Sequence, residues 1–219
     1  MTNSFLFIAF VYLSVTISVV FTIYRFASDR YSYSSYSSQF LESRALFWGS
    51  VPWHYGIIVI LLLHIFALII PGAYRWLLEG SRIELFESIG LGFAFLSFVG
   101  LIVLAIRRLS DSKVNVVSFA TDWLLLFLFL FQVGSGIYIA LTYRWGSLWY
   151  LNTIVPWIWS LLSFVPDNSY VVALPMIVKL HILNAFFLIA LFPFTRLVHI
   201  ISAPIPYLWR PYQITRWYK

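Results

Sequence analysis

The stretch PWHYGIIVILLLHIFALII, residues 52–70, decides the fold. No Asp, Glu, Lys or Arg interrupts its 19 residues. As a helix it is about 28 Å long, close to the thickness of a bilayer's hydrocarbon core. Ser50 and Pro52 suit a helix start, and Pro71-Gly72 suit its end. Two histidines, His54 and His64, lie inside the run.

The same pattern recurs along the 219-residue chain. Hydrophobic residues make up 62% and charged residues 10%, against roughly half and a quarter in ordinary soluble domains. The apolar residues come in long runs, as membrane spans require. The expected fold is therefore all-α and integral to a membrane, a single domain over residues 1–219. Five spans are expected, at about Phe5–Tyr24, Pro52–Ile70, Ser88–Ile106, Phe119–Leu141 and Val171–Ile201. The last is long enough to cross with tilt and is stopped by Ala203-Pro204. Residues 149–165, rich in Trp and Tyr with Pro156 inside, are expected to lie in the interface rather than form a sixth span. The first basic residue, Arg25, follows the first apolar run, so that run reads as a span and not a cleaved signal.

Charge orients the spans. With five spans and the N-terminus outside, the cytoplasmic segments carry Arg25, Arg30, Arg44, Arg107, Arg108, Lys113, Arg196, Arg210, Arg216 and Lys219. The outer loops carry Arg75, Arg82, Arg144 and Lys179, so the split is 10 to 4. That is the bias the positive-inside rule demands, with the C-terminus cytoplasmic. These basic residues are scattered over several loops and ends, which argues against a nucleic-acid surface despite the net charge of +6. The Tyr/Ser-rich stretch Tyr31–Ser38 reads from composition as a polar loop.

Cysteine is absent, which removes disulfides and thiolate metal sites and leaves histidine as the nitrogen ligand. All four histidines fall on two spans, His54 and His64 on the second, His181 and His199 on the fifth. A buried ionisable group in a span is costly and is a functional signal by default. A single such histidine is equally explained by a helix–helix hydrogen bond. Four on two spans point to two bis-histidine haems stacked across the membrane. Antiparallel spans pair His54 with His199 near the cytoplasm and His64 with His181 near the outside; a sixth span would swap the partners. The intervals of ten and eighteen residues rise about 15 Å and about 27 Å, so a bend is needed, and Pro193 offers one. Eighteen residues make about five turns, placing His181 and His199 near one helix face. Zinc ligands cluster at shorter spacings, which disfavours a zinc site. Asp122 reads as a charge at a helix N-terminus, and Gly56 either as a close haem approach or as a helix contact.

The last span carries a resemblance. Lys179-Leu180-His181, the run Leu191-Phe-Pro-Phe-Thr-Arg-Leu-Val-His-Ile200, Ser202-Ala203-Pro204 and Tyr207-Leu208 resemble the gamma subunit of respiratory nitrate reductase, a di-haem cytochrome b. Trp53-His54-Tyr55-Gly56 with His64, Arg107-Arg108-Leu109, and the loop Arg30-Tyr31-Ser32-Tyr33 with Ser37-Ser38-Gln39 extend it over nearly the whole chain. Where that family has a glycine before the second histidine, this chain has Leu63.

The resemblance implies two haems b as cofactors. His54 and His199 would ligate the proximal one, and His64 and His181 the distal one, near the outer face. Quinol would be oxidised beside the distal haem, with electrons passing to an iron–sulfur subunit and then to a molybdenum-cofactor catalytic subunit that reduces nitrate. The setting would be the cytoplasmic (inner) cell membrane. Arg82 matches a family lysine placed near the quinol; as an isolated residue it reads equally well as an anchor snorkelling to the headgroups. Rival readings are a cytochrome b subunit of another molybdenum oxidoreductase, or a non-redox membrane anchor. A tag fused after Lys219 is expected to be accessible only from the cytoplasmic side in intact cells, and periplasmic labelling of that tag would contradict the topology.

Overall fold

The computed structural model describes residues 5–33, 38, 41–201 and 209, and among them the secondary structure is entirely helical. Five helices are long and apolar enough to cross a membrane: α1 (Phe5–Ser28), α2 (Arg44–Ile69), α3 (Arg82–Ser110), α4 (Ala120–Thr142) and α5 (Met176–Phe194). The chain is thus a multi-pass, all-α membrane protein. Much of the apolar surface of these helices faces outward, as with Leu62, Val20 and Phe127, where lipid replaces a protein core.

Helix ends follow local electrostatics more than the apolar runs do. α2 begins at Arg44, well before the start expected at Ser50–Pro52. The Glu42 carboxylate accepts from the backbone N–H groups of Ala45 at 2.7 Å and Leu46 at 3.1 Å, satisfying donors that a helix start leaves open. Those backbone bonds, with the Arg107 guanidinium beside them, hold the Glu42 carboxyl below the usual carboxylate range. Pro52 consequently lies inside the helix. α3 likewise starts at Arg82, ahead of the expected Ser88, with Glu84 in its first turn and Arg107 and Arg108 in its last, both favourable to the helix dipole.

The fifth span differs most from expectation. The single helix expected over Val171–Ile201 is broken at both ends. A separate turn occupies Ser169–Val172, and α5 begins after Pro175. At the far end Pro193 has no N–H to continue the ladder. Regular α-helix stops at Leu191, Phe192–Phe194 tighten into a 3-10 turn, Thr195 is extended, and Arg196–Ile200 form a second 3-10 turn. The Pro193 carbonyl accepts instead from Arg25 Nη1 of α1 at 2.5 Å. The expected stop at Ala203-Pro204, the residues at 207 and 208, and the basic tail residues Arg210, Arg216 and Lys219 lie outside the described residues, as do Ser37 and Gln39.

Packing is intimate between α2 and α3. A Cβ on Gly56 would lie 2.6 Å from the Phe93 carbonyl oxygen, and one on Gly100 would lie 2.5 Å from the Trp53 nitrogen. The two backbones therefore touch through Gly49, Gly56, Ser97 and Gly100, the small-residue packing that replaces hydrophobic driving force in membranes. Gly56 serves this helix contact. Beyond it, α3 packs on α4, α4 on α5, and α5 on α1. α2 and α5, the two histidine-bearing helices, are not among the closely packed pairs of described residues.

α4 and α5 run antiparallel, since Asn184 meets Leu128 and His181 meets Gln132 and Ser135. Residues 143–175 therefore leave and rejoin the bundle at one end. Within them Gly146–Trp149, Tyr150–Ile154 and Val155–Leu162 form successive helical turns. These turns close that end: Tyr12 of α1 donates to the Leu161 carbonyl, Trp159 donates to the Leu68 carbonyl, and the buried Trp157 ring meets Phe7 and Phe186 edge-on.

Gly100→Ala is expected to destabilise the bundle by about 1–3 kcal/mol through overpacking, read as a lower unfolding midpoint in detergent. Gly92→Ala, whose Cβ would meet nothing within 4 Å, is expected not to lower it.

Candidate functional site

An imidazole in an apolar bundle needs an acceptor for its N–H, and each histidine has one on Nδ1. His54 Nδ1 lies 2.7 Å from the Ser50 carbonyl, His64 Nδ1 2.8 Å from that of Ile60, and His199 Nδ1 2.7 Å from that of Arg196. A carbonyl only accepts, so Nδ1 carries the proton and Nε2 keeps the lone pair. His181 reaches the same tautomer by another route. Its Nδ1 is 2.9 Å from Ser135 Oγ, whose own hydrogen is directed at the Gln132 carbonyl 3.0 Å away. The Gln132 amide then donates to His181 Nε2 at 3.0 Å. In all four the lone pair is on Nε2, and at His181 the Gln132 amide occupies it.

The structure brings His54 and His199 together. The His54 and His199 rings are 6.1 Å apart between centroids, at an interplanar angle of 76°. His64 stands against Tyr150, and His181 is seated on α4 by Gln132 and Ser135. Pairing 54 with 199 and 64 with 181 makes the chain directions of α2 and the fifth span antiparallel. The intervals of ten and eighteen residues meet because the chain breaks at Pro193–Thr195, so that His199 rides on a separate turn. The expectation that His181 and His199 share one face of one helix is overturned for the same reason.

The His199 turn is held by ion pairs. Asp122, almost wholly buried, bonds Arg196 Nε at 2.9 Å and Arg108 Nη1 at 3.5 Å, and accepts from the Phe119 N–H at 3.1 Å. Asp122 is thus a charge at a helix start and also a clasp joining α3, α4 and the turn whose Arg196 carbonyl fixes His199. Alongside it Arg107 bonds Glu42 at 2.7 Å and the Ser38 carbonyl at 3.1 Å, tying α3 to the chain before α2.

At the other end Tyr150 covers His64. Their rings stand 4.8 Å apart edge-on, and the Tyr150 hydroxyl donates to the His64 carbonyl at 3.2 Å. Burial pushes this hydroxyl up to about 12, so it remains a donor. Arg75 Nη2 holds Asn152 Oδ1 at 2.9 Å on the same segment. Arg82 is engaged within its own loop, 4.1 Å over the Trp76 ring and 3.4 Å from Glu79. Leu63 reaches toward Gly90, where a Cβ would lie 4.0 Å from Leu63 Cδ1, an ordinary van der Waals contact.

Gln132, Ser135 and Tyr150 are the site neighbours that sequence reasoning passes over. Gln132 offered a signal, as a lone amide within an apolar span; Ser135 and Tyr150 look like ordinary span and interface residues.

The sequence matches the family described as nitrate reductase gamma subunit over residues 3–218. The chain belongs to that family. Its relatives include the nitrate reductase gamma chain of Bacillus subtilis (strain 168), 33% identical over 94% of both chains. The respiratory nitrate reductase 2 gamma chain of Escherichia coli (strain K12) is 30% identical, over 98% of this chain and 96% of the relative. The nitrate reductase-like protein NarX of Mycobacterium tuberculosis (strain ATCC 25618 / H37Rv) is 30% identical over 94% of this chain, but the match covers 32% of that longer protein. A gamma-subunit family member is therefore a membrane component of an oxidoreductase complex, and the paired histidines are its prominent chemical feature.

Asp122→Ala would leave Arg108 and Arg196 facing each other without their shared counter-charge. A loss of about 3–5 kcal/mol is expected, measured as a lowered unfolding midpoint, with Asp122→Asn milder because the backbone bond from Phe119 survives.

Proposed function

We propose that this chain is the membrane-anchoring cytochrome b subunit of a nitrate reductase complex, oxidising quinol near the outer face and delivering electrons at the cytoplasmic end. The observation that supports it is the matched set of imidazoles. Four Nδ1–H groups are tied back to protein oxygens, which leaves the lone pair on Nε2 in each, and the His54 and His199 rings stand side by side. Two imidazoles that share one metal, each bonded at about 2 Å, have ring centroids about 6 Å apart. The His54–His199 separation of 6.1 Å fits that requirement.

On this reading His54 and His199 hold a haem b at the cytoplasmic side, and His64 and His181 hold a second toward the outside. Haem b held by two histidines would supply one-electron transfer rather than oxygen binding. The chain's own residues do the rest. The carbonyls of Ser50, Ile60 and Arg196 orient three ligands, and Ser135 orients the fourth. Tyr150 and Trp159 fasten the 143–175 segment over the outer end through the His64 and Leu68 carbonyls. Arg82, at the same end of the bundle, is assigned a quinol contact, and the released protons leave on that side. The partners are an iron–sulfur subunit and a molybdenum-cofactor subunit at the cytoplasmic end.

A reduced-minus-oxidised spectrum of the purified membrane protein is expected to show b-type haem with two separable midpoint potentials. A preparation without haem b absorption overturns the reading. His181→Ala is expected to remove one haem and abolish quinol oxidation, and retention of both haems with full quinol activity would refute the pairing.

A further inference from the structure

The four histidines are not held alike. His54, His64 and His199 each give their Nδ1–H to a carbonyl three or four residues back on their own chain segment. His181 gives its Nδ1–H across the helix interface to a side-chain hydroxyl, Ser135 Oγ of α4, at 2.9 Å. The hydroxyl's hydrogen is spent on the Gln132 carbonyl at 3.0 Å, so its oxygen is presented to the ring as an acceptor. Gly136 completes this seat: a Cβ there would stand 3.2 Å from His181 Cε1, and the ring would have to give by a few tenths of an ångström to accommodate it. Gln132 caps Nε2 from the opposite edge of the ring, and Asn184 bonds its Oε1 at 2.6 Å. A metal held by Nε2 would take the place of the Gln132 amide, while the bond from Nδ1 to Ser135 uses the other nitrogen.

The partner of a ligand's second nitrogen sets how much electron density the ligand gives its metal. A strong acceptor draws the Nδ1 proton away, makes the ring more imidazolate-like and favours ferric iron. A hydroxyl oxygen accepts more weakly than an amide carbonyl, so His181 is the weakest electron donor of the four. We propose that Ser135 is a positioning residue that fixes the His181 tautomer and sets the reduction potential of the haem held by His181, with weaker acceptance at residue 135 giving a higher potential. The proposal rests on the di-haem reading above. It makes the two haems unequal through one replaceable side chain, where each of the other three imidazoles keeps a backbone carbonyl on Nδ1 that substitution cannot remove, even at His54, where Ser50 Oγ also stands 3.1 Å from Nδ1.

The test is a potentiometric titration of the purified protein, monitored by haem b absorbance, with the His181 haem identified as the component lost in His181→Ala. Ser135→Ala is expected to raise the midpoint of that component alone, and Ser135→Thr, which keeps the hydroxyl, is expected to restore the wild-type value. If the alanine variant fails to assemble with haem, Ser135→Cys carries the same expectation, because sulfur is a weak acceptor. Unchanged midpoints in a haem-loaded Ala or Cys variant overturn the proposal, and so does an equal shift of both components, which would report a general structural change. Wild-type protein lacking haem b overturns the di-haem reading itself and the proposal with it, an outcome visible before any variant is made.

Discussion

The structure depends on the fact that an imidazole cannot be left with an unsatisfied N–H inside an apolar bundle. Each of the four histidines meets that demand on Nδ1, and the consequences reach beyond the hydrogen bond. Satisfaction on one nitrogen fixes the tautomer, and the tautomer decides which nitrogen keeps its lone pair. It also limits ring rotation, because a carbonyl one turn back pins His54 and His64 along the axis of α2. The functional geometry is therefore inherited from helix geometry for most of the set, and from a neighbouring helix for His181.

The second determinant is the unequal closeness of the helices. Gly49, Gly56 and Gly100 let α2 and α3 approach until backbone meets backbone. α2 thereby uses one face for α3 and keeps the histidine face directed elsewhere. On the other side α5 is supported by α1 and α4. The histidine-bearing helices are each braced from behind and need not fill the space between them with each other's side chains.

Much of this is legible in the sequence because it is written in local chemistry. A 19-residue run without charge at 52–70 reads as a span whatever surrounds it, and four histidines in such runs stand out because few other groups there carry a lone pair. Helix ends are less legible. Glu42 starts α2 through two backbone bonds, a signal outweighed in the sequence by the proline at 52. The fifth span looks continuous because Phe192–Phe194 are apolar, and hydropathy does not register a missing N–H. Ser135 and Asp122 are least legible of all. Their roles come from partners 46 and 74 residues away, and no periodicity reports a contact at such separation.

The break at Pro193–Thr195 has a mechanical meaning. His181 sits on a continuous helix seated against α4, while His199 sits on a short turn fastened by Arg196 to Asp122 and bordered by the Arg25 bond to the Pro193 carbonyl. The two histidines of the fifth span thus belong to different helical segments, separated by the extended Thr195. A push on the Arg196–Ile200 turn is absorbed at that joint and in the Asp122 clasp, and is not transmitted along α5 as it would be through one unbroken rod. One end of the molecule can accommodate a neighbour while the other keeps its register.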